Sequence, residues 1–180
     1  MKADYRSQIK ILRGHLTQSQ VDSLSNEVSQ NLEKLEAYRK ARVVLLYWPL
    51  PGEVDLRTLI EDGGKRVALP VVVGDRLVLR EYSPSYMTKG AYGILEPDVR
   101  APEINPQEVD IAIIPGVAFD HQCKRLGRGK GFYDRLLPSL QCMKVGVAFS
   151  FQVFETIPSD PWDIPMDMVI TENEVSYRKV

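Results

Sequence analysis

Val21, Leu24, Val28, Leu32 and Leu35 recur at helical spacing, which places apolar side chains along one stripe of a helix. Thr17 stands ahead of them and Gln20 completes a capping-box pattern, so a long amphipathic helix is expected from about Thr17 to Lys40. Residues 1–15 read as a shorter, basic helix. The pattern then changes. Arg42 to Trp48 is apolar at nearly every position and reads as a buried strand, broken by Pro49, Pro51 and Gly52. Asp55 is placed to cap a helix running through Glu61, which Gly63 and Gly64 end. Arg66 to Val73 is a valine-rich strand, Gly74-Asp75 a turn, and Arg76 to Tyr82 the returning hairpin partner. Residues 83–108 carry Pro84, Pro97, Pro102 and Pro106 and are expected to be mostly loop. Val109–Ile114, Lys144–Ala148 and Met168–Thr171 read as further strands, with a helix from about Phe132 to Leu140.

Strands that are apolar on both faces, alternating with helices, signal a mostly parallel sheet covered on both sides. The expected architecture is one α/β domain over residues 1–180, three layers deep (α/β/α). A length of 180 residues suits one such core and leaves little for a second. The formal net charge of -1 means that any electrostatic function must come from local clustering. Cys123 and Cys142 form no CxxC pair, which speaks against a disulfide framework or zinc site and fits a reducing cytosol. The N-terminal segment has no apolar run of the kind a secretory signal needs, and Val43 to Leu50 is too short to cross a bilayer.

The chemistry concentrates in Pro115 to Leu137, PGVAFDHQCKRLGRGKGFYDRLL. It begins where a buried strand ends, which is where ligand crevices open in parallel sheets. Gly127, Gly129 and Gly131 alternate with Arg128 and Lys130, with Arg125 just ahead. Glycines let the backbone approach a ligand, the cations supply charge, and the next element is a helix N-terminus; together they suit an anion, with phosphate the natural occupant. The segment is neither a Walker A sequence nor a GxGxxG fingerprint. Asp134, in the first turn of that helix, reads on spacing alone as a helix-dipole aspartate; a magnesium ligand is the sharper alternative. Asp160, Asp163 and Asp167 form a second acidic cluster, open to either a metal role or plain solvation.

RLGRGKGFYDR, Arg125 to Arg135, preceded by PGVAFD, Pro115 to Asp120, resembles the signature of 5-formyltetrahydrofolate cyclo-ligases. The resemblance runs over nearly the whole chain. The basic start from Lys2 to Arg13 is similar to that family's N-terminal KxxxR helix, LPGEVDL (Leu50 to Leu56) to its glutamate motif, and YGILEP (Tyr92 to Pro97) to its aromatic segment. GVAFSFQ (Gly146 to Gln152) and DPWDIPMDMVIT (Asp160 to Thr171) follow in order. The resemblance implies a fold like that of sugar-phosphate isomerases and coenzyme A transferases. It implies that ATP phosphorylates the formyl oxygen of 5-formyltetrahydrofolate, that nitrogen 10 attacks the activated carbon, and that phosphate leaves to give 5,10-methenyltetrahydrofolate. It assigns Lys2, Arg6 and Arg125, Leu126, Gly127, Arg128, Gly129, Lys130, Gly131, Phe132 and Tyr133 to ATP, and Lys130, Arg128 and Glu53 to catalysis. Glu53, Tyr47, Trp48, Tyr92 and Tyr133 fall to the folate, and Asp134 and Asp163 to Mg2+. Without it, Lys2 and Arg6 read as surface charges, Tyr47 and Trp48 as strand residues, and Tyr92 as a loop aromatic.

Three positions depart from that pattern. Phe132 stands where tyrosine is common, Cys123 where glycine is usual, and Tyr92 where some relatives have tryptophan. A glycine before Arg125 implies a positive φ, which cysteine adopts at a cost and which leaves the course of the loop open. His15 is expected at the surface, and His121 lies near the phosphate loop without an assigned role. Two other readings compete: a sugar-phosphate isomerase, which explains the anion loop alone, and a nucleic-acid module built on Arg125, Arg128, Lys130 and Arg135 with Phe132 and Tyr133. Near-zero net charge and the shortness of the basic stretch weigh against the second. The expectation is a cytoplasmic monomer acting on small molecules, ATP and a reduced folate, without nucleic-acid or membrane partners.

Overall fold

A computed structural model describes residues 1–180. In chain order the elements are α1 (Lys2–Gly14), α2 (Gln18–Glu33), α3 (Glu36–Lys40), β1 (Val43–Leu45), α4 (Arg57–Glu61), β2 (Arg66–Val73), β3 (Arg76–Glu81), β4 (Met87–Lys89) and β5 (Leu95–Pro97). There follow β6 (Ile111–Pro115), β7 (Ala118–Asp120), β8 (Arg125–Leu126), α5 (Phe132–Leu136), β9 (Met143–Val147), β10 (Val153–Phe154), β11 (Met168–Ile170) and β12 (Val175–Tyr177).

The central sheet has the order β12-β11-β9-β6-β1-β2-β3. Its inner pairs are parallel, and β3 and β12 close the two edges antiparallel. Successive side chains of a strand face opposite sides, and both sides are buried here. Val44, Val67, Leu69, Ile111, Ile113, Val145 and Val147 point into a core shared with Val21, Val28, Leu32, Leu59 and Ile60 of the helices. Leu45, Ala68, Ala112, Ile114 and Val169 point the other way, onto Phe119, Leu136, Leu137 and Met166. Each such aliphatic side chain contributes roughly 1.5–3 kcal/mol on burial. The sheet is therefore a middle layer, but the two covers differ. α2, α3 and α4 form one; α5, short 3-10 turns and irregular chain form the other. Phe119 reaches the sheet only because Gly146 lacks a side chain, since a Cβ there would lie 2.5 Å from Phe119 Cε1.

Several boundaries differ from the pattern reading. The Thr17–Gln20 capping box forms, but the helix does not reach Lys40: Leu35 is extended at φ -66 and ψ 127, and α3 starts afresh. The break lets both Leu32 and Tyr38 turn into the core. The strand expected over Arg42 to Trp48 shortens to β1, because Leu46 makes the last ladder bond, to the Ala68 carbonyl, and Pro49 and Pro51 lack N–H donors. Tyr47 and Trp48 thereby emerge beyond its carboxyl end. Asp55 precedes the cap position, which is Leu56, yet its Oδ1 still accepts from the Arg57 N–H at 3.0 Å. The helix from Phe132 stops at Leu136 and continues as a 3-10 turn containing Pro138. The stretch 83–108 is not simply loop: β4 and β5 pair within it as an antiparallel hairpin. The small sheet β10-β7-β8 and the edge strand β12 carried no readable pattern.

Cys123 is the one non-glycine residue with a left-handed backbone, at φ 63. The turn that a glycine would allow is kept, and Asp120 holds it. Its carbonyl accepts from the Cys123 N–H at 2.8 Å, and its buried carboxylate accepts from Gln122 and Lys124, each at 3.0 Å.

Candidate active site

A cavity of about 370 Å³ opens at the carboxyl ends of β1 and β6, and two unlike walls enclose it. One wall is the loop from Gly127 to Gly131. The other comprises Tyr47, Trp48, Leu69, Val72, Tyr92 and Ile94 with their neighbours. The volume suits a small organic ligand.

The glycine-rich loop runs from β8 into α5. Gly129 at φ 103 and Gly131 at φ 71 hold conformations that a side chain resists. α5 has only five helical residues, so its dipole is small and the positive character of this wall rests on side chains. Arg125 is the structural cation. Its guanidinium is buried, donates from Nε to the Pro115 carbonyl at 2.8 Å, and lies 5.0 Å from the Tyr133 ring centroid. Burial lowers its pKa, with Asp134 opposing that effect. Arg128 and Lys130 are exposed and reach the cavity. Lys130 Nζ stands 3.8 Å from the Tyr92 ring centroid, and Tyr92 meets Phe132 edge-on at 6.2 Å.

Glu53 ties the two walls together. It is buried, accepts from Arg128 at 2.8 Å with one oxygen, and accepts from the Leu50 N–H at 2.8 Å with the other. Only Glu53 of this pair is buried, so it is loss of Arg128 that would strand a charge away from water. Tyr47 is also buried, and its hydroxyl donates to the Val54 carbonyl at 2.7 Å, which leaves only its ring for the cavity. Burial drives its pKa well up, with Glu53 adding to the effect. Trp48 is half-buried and stacks on Tyr82 at 6.5 Å.

Helix α1 lies across the back of the loop. Lys2, Arg6, Ile9 and Arg13 share one face, and Ile9 is fully buried. Arg6 donates to the Gly127 carbonyl at 2.9 Å, and Lys2 pairs with Asp160 and, at 3.1 Å, with Asp163. The hydrogen bond to Asp160 is the main reason the Lys2 pKa is raised. Arg13 was not singled out as a site residue from sequence. Its NH2 donates to the Gly116 carbonyl at 3.1 Å, its chain packs on Gly52, and its buried Nε has no partner. The helical interval from Arg6 is the signal that could have found it.

A profile described as the 5-formyltetrahydrofolate cyclo-ligase family matches residues 1–172. The chain belongs to the 5-formyltetrahydrofolate cyclo-ligase family. It is 34% identical to the 5-formyltetrahydrofolate cyclo-ligase of Haemophilus influenzae over 172 residues, covering 89% of this chain and 92% of that one. The Escherichia coli K12 enzyme of the same name is 34% identical over 178 residues, with 93% and 98% covered. Among solved structures, Aquifex aeolicus 5,10-methenyltetrahydrofolate synthetase superposes with a TM-score of 0.91 at 43% identity, covering 99% of this chain and 93% of that one. A Mycoplasma pneumoniae 5,10-methenyltetrahydrofolate synthetase superposes with a TM-score of 0.77 at 27% identity, with 95% and 98% covered.

Among the residues assigned through the cyclo-ligase resemblance, Tyr47, Trp48, Glu53, Tyr92, Arg125, Gly127, Arg128, Lys130, Gly131, Phe132, Tyr133 and Asp134 line the one cavity. Leu126 does not. It packs with Ala118 and Ile157, and its carbonyl accepts from the Val117 N–H at 2.8 Å, so it anchors the loop. The two proposed magnesium ligands are placed differently. Asp134 is half-exposed on the cavity wall with only a long 3.5 Å approach from Arg125, and one such carboxylate suits an ion carried on substrate phosphates. Asp163 lies outside the lining, accepting from Lys2 and from the Asp160 N–H at 2.8 Å. No group of three or more His, Cys, Asp or Glu forms a cage for a metal. His121 is half-exposed, 3.9 Å from Glu174 and off the cavity, and His15 is at the surface.

Proposed function

We propose that this chain catalyses the ATP-dependent cyclisation of 5-formyltetrahydrofolate to 5,10-methenyltetrahydrofolate, releasing ADP and phosphate. Family membership supplies the reaction class. The observation that carries the reading to this chain's own residues is the Arg128–Glu53 pair, at 2.8 Å, which joins the phosphate loop to the aromatic wall in one cavity.

The oxygen of an N-formyl group is a poor leaving group, and phosphate is a good one. The γ-phosphoryl group moves to that oxygen and ADP leaves. Nitrogen 10 then attacks the formyl carbon and gives up its proton, and the carbon–oxygen bond breaks with loss of phosphate. The protein's contribution is positioning and charge stabilisation. Lys130 and Arg128 oppose the charge that builds on the transferring group. The N–H groups of Gly127 to Gly131 cradle the phosphates, backed by Arg6, while Lys2 sits at the nucleotide end. Glu53 holds Arg128 and orients the folate near its reacting end, and Tyr47, Trp48, Tyr92 and Tyr133 present ring faces to the heterocycle. Asp134 would hold a magnesium ion, which would supply positive charge to offset that of the phosphates. Asp163 is given the task of holding Lys2.

The same reading places the enzyme in the cytosol as a monomer acting on small molecules, without nucleic-acid or membrane partners. Both cysteines are free, in keeping with a reducing compartment, and no helix is long and apolar enough to cross a membrane. The deciding experiment follows methenyl absorbance with 5-formyltetrahydrofolate, ATP and magnesium, omitting each in turn. Product that needs all three is expected; product without ATP, or none with all three, overturns the reading.

A further inference from the structure

Three carboxylates line the cavity: Glu53, Asp134 and Glu96. Glu53 accepts from the Arg128 guanidinium, and Asp134 faces that of Arg125. Glu96 faces no cation. It sits on β5, half-buried on the apolar side with Val72, Tyr92, Ile94 and Leu95. Its carboxyl group lies flat against Gly90, so close that a Cβ on Gly90 would fall 2.1 Å from Glu96 Cδ and within 2.5 Å of both oxygens. Burial holds its pKa above the ordinary carboxylate value, with the Val72 main chain opposing that shift. A desolvated carboxylate without a counter-charge is unfavourable in the free protein. Suitably placed N–H donors on a ligand would offset that cost.

We infer that Glu96 is a specificity-determining residue that accepts the paired N–H donors on the aminopyrimidine edge of the folate's pteridine ring. The inference rests on the folate reading above. The 2-amino group and the adjacent ring N–H lie in one plane, at the spacing of the two oxygens of a carboxylate, the same fork that a guanidinium offers. Stacking on Tyr92 and contact with apolar side chains hold a flat ring without fixing which edge points where. A carboxylate at the apolar end fixes the edge and directs the reacting nitrogens toward Glu53 and Lys130. An analogue without the 2-amino group keeps the ring N–H but leaves one carboxylate oxygen unpaired, and sites of this type discriminate on that basis.

The test compares the wild type, Glu96→Gln and Glu96→Ala, with 5-formyltetrahydrofolate and with its analogue carrying a methyl in place of the 2-amino group. In the wild type the analogue's kcat/KM is expected to fall about tenfold to a hundredfold, the range for hydrogen bonds to a charged group. In both variants KM for the natural folate rises by a similar factor, KM for ATP stays within twofold, and the analogue penalty shrinks to about threefold or less. The shrinking penalty is the readout that a merely structural role would not move. An equal penalty in wild type and variants overturns the inference, as does a parallel rise in KM for ATP. Glu96→Gln, nearly isosteric, carries the test should Glu96→Ala fail to fold. Absence of wild-type turnover sinks the folate reading itself, whereas wild-type turnover with unaltered variants sinks only the role of Glu96.

Discussion

The two walls of the cavity are built in opposite ways. The phosphate wall is one continuous stretch, Arg125 to Asp134, within which glycines and cationic side chains alternate from Gly127 to Gly131. The apolar wall is assembled from the chain leaving β1, from β2 and β3, and from the hairpin β4–β5, none adjacent to the phosphate loop in the chain. An anion is recognised by backbone N–H groups and charge, which a short loop can supply alone. A flat heterocycle needs surface on several sides, which only distant elements brought together can supply. Glu53 and Lys130 are the points where the walls meet, through Arg128 and through the Tyr92 ring.

That difference is best broken at Lys130. Lys130→Ala is expected to lower kcat/KM by about 10²- to 10³-fold with an unchanged circular dichroism spectrum, the loss typical of removing one donor from a charge-stabilising site. Near wild-type turnover would remove Lys130 from the chemistry. Glu53→Ala comes next: folate KM is expected to rise about tenfold to a hundredfold and ATP KM by less, because Arg128 loses its partner on the folate side. Equal rises would show the walls to be one energetic unit. Gly129→Ala forces a side chain onto a φ of 103, with an expected rise in ATP KM of up to about tenfold and little change for folate. Gly90→Ala is the mirror case, displacing the Glu96 carboxyl and raising folate KM alone.

The smallest effect separates both walls from the core beneath them. Burial raises the Cys123 thiol from 9.0 to about 11 and the Tyr38 hydroxyl from 10.0 to about 12. Above these ordinary values the unfolded chain gives up protons that the folded chain keeps, so stability falls as pH rises. A melting temperature that declines between about pH 9 and 11, and declines less in Cys123→Ala, is the expected result. A flat profile would contradict the burial of both groups.

The phosphate wall was readable because its chemistry is local. Gly127, Gly129, Gly131 and their intervening cations say the same thing in sequence and in space. β6 and β9 were readable for a related reason, since burial on both faces makes nearly every residue apolar. The break at Leu35 was not, because the apolar spacing continues through it and only the packing of Tyr38 requires a second axis. β4 and β5 were hidden among prolines, and their three-residue strands hold no period to detect. Arg13 and Glu96 lay in plain view as ordinary charges. What distinguishes them is a buried, unpartnered Nε in one case and the lack of any cation nearby in the other, and both are facts about neighbours.

By itself, then, the sequence determined the parallel sheet, the capped helix, the glycine-rich anion loop and the family, all of which depend on residues close together in the chain or on motifs in fixed order. Tertiary structure alone decided that Asp134 faces the cavity while Asp163 is held by Lys2, that Tyr47 offers only its ring, and that Arg128 reaches Glu53. Those outcomes turn on distances and desolvation between segments far apart in sequence, and no local pattern of residue types encodes them.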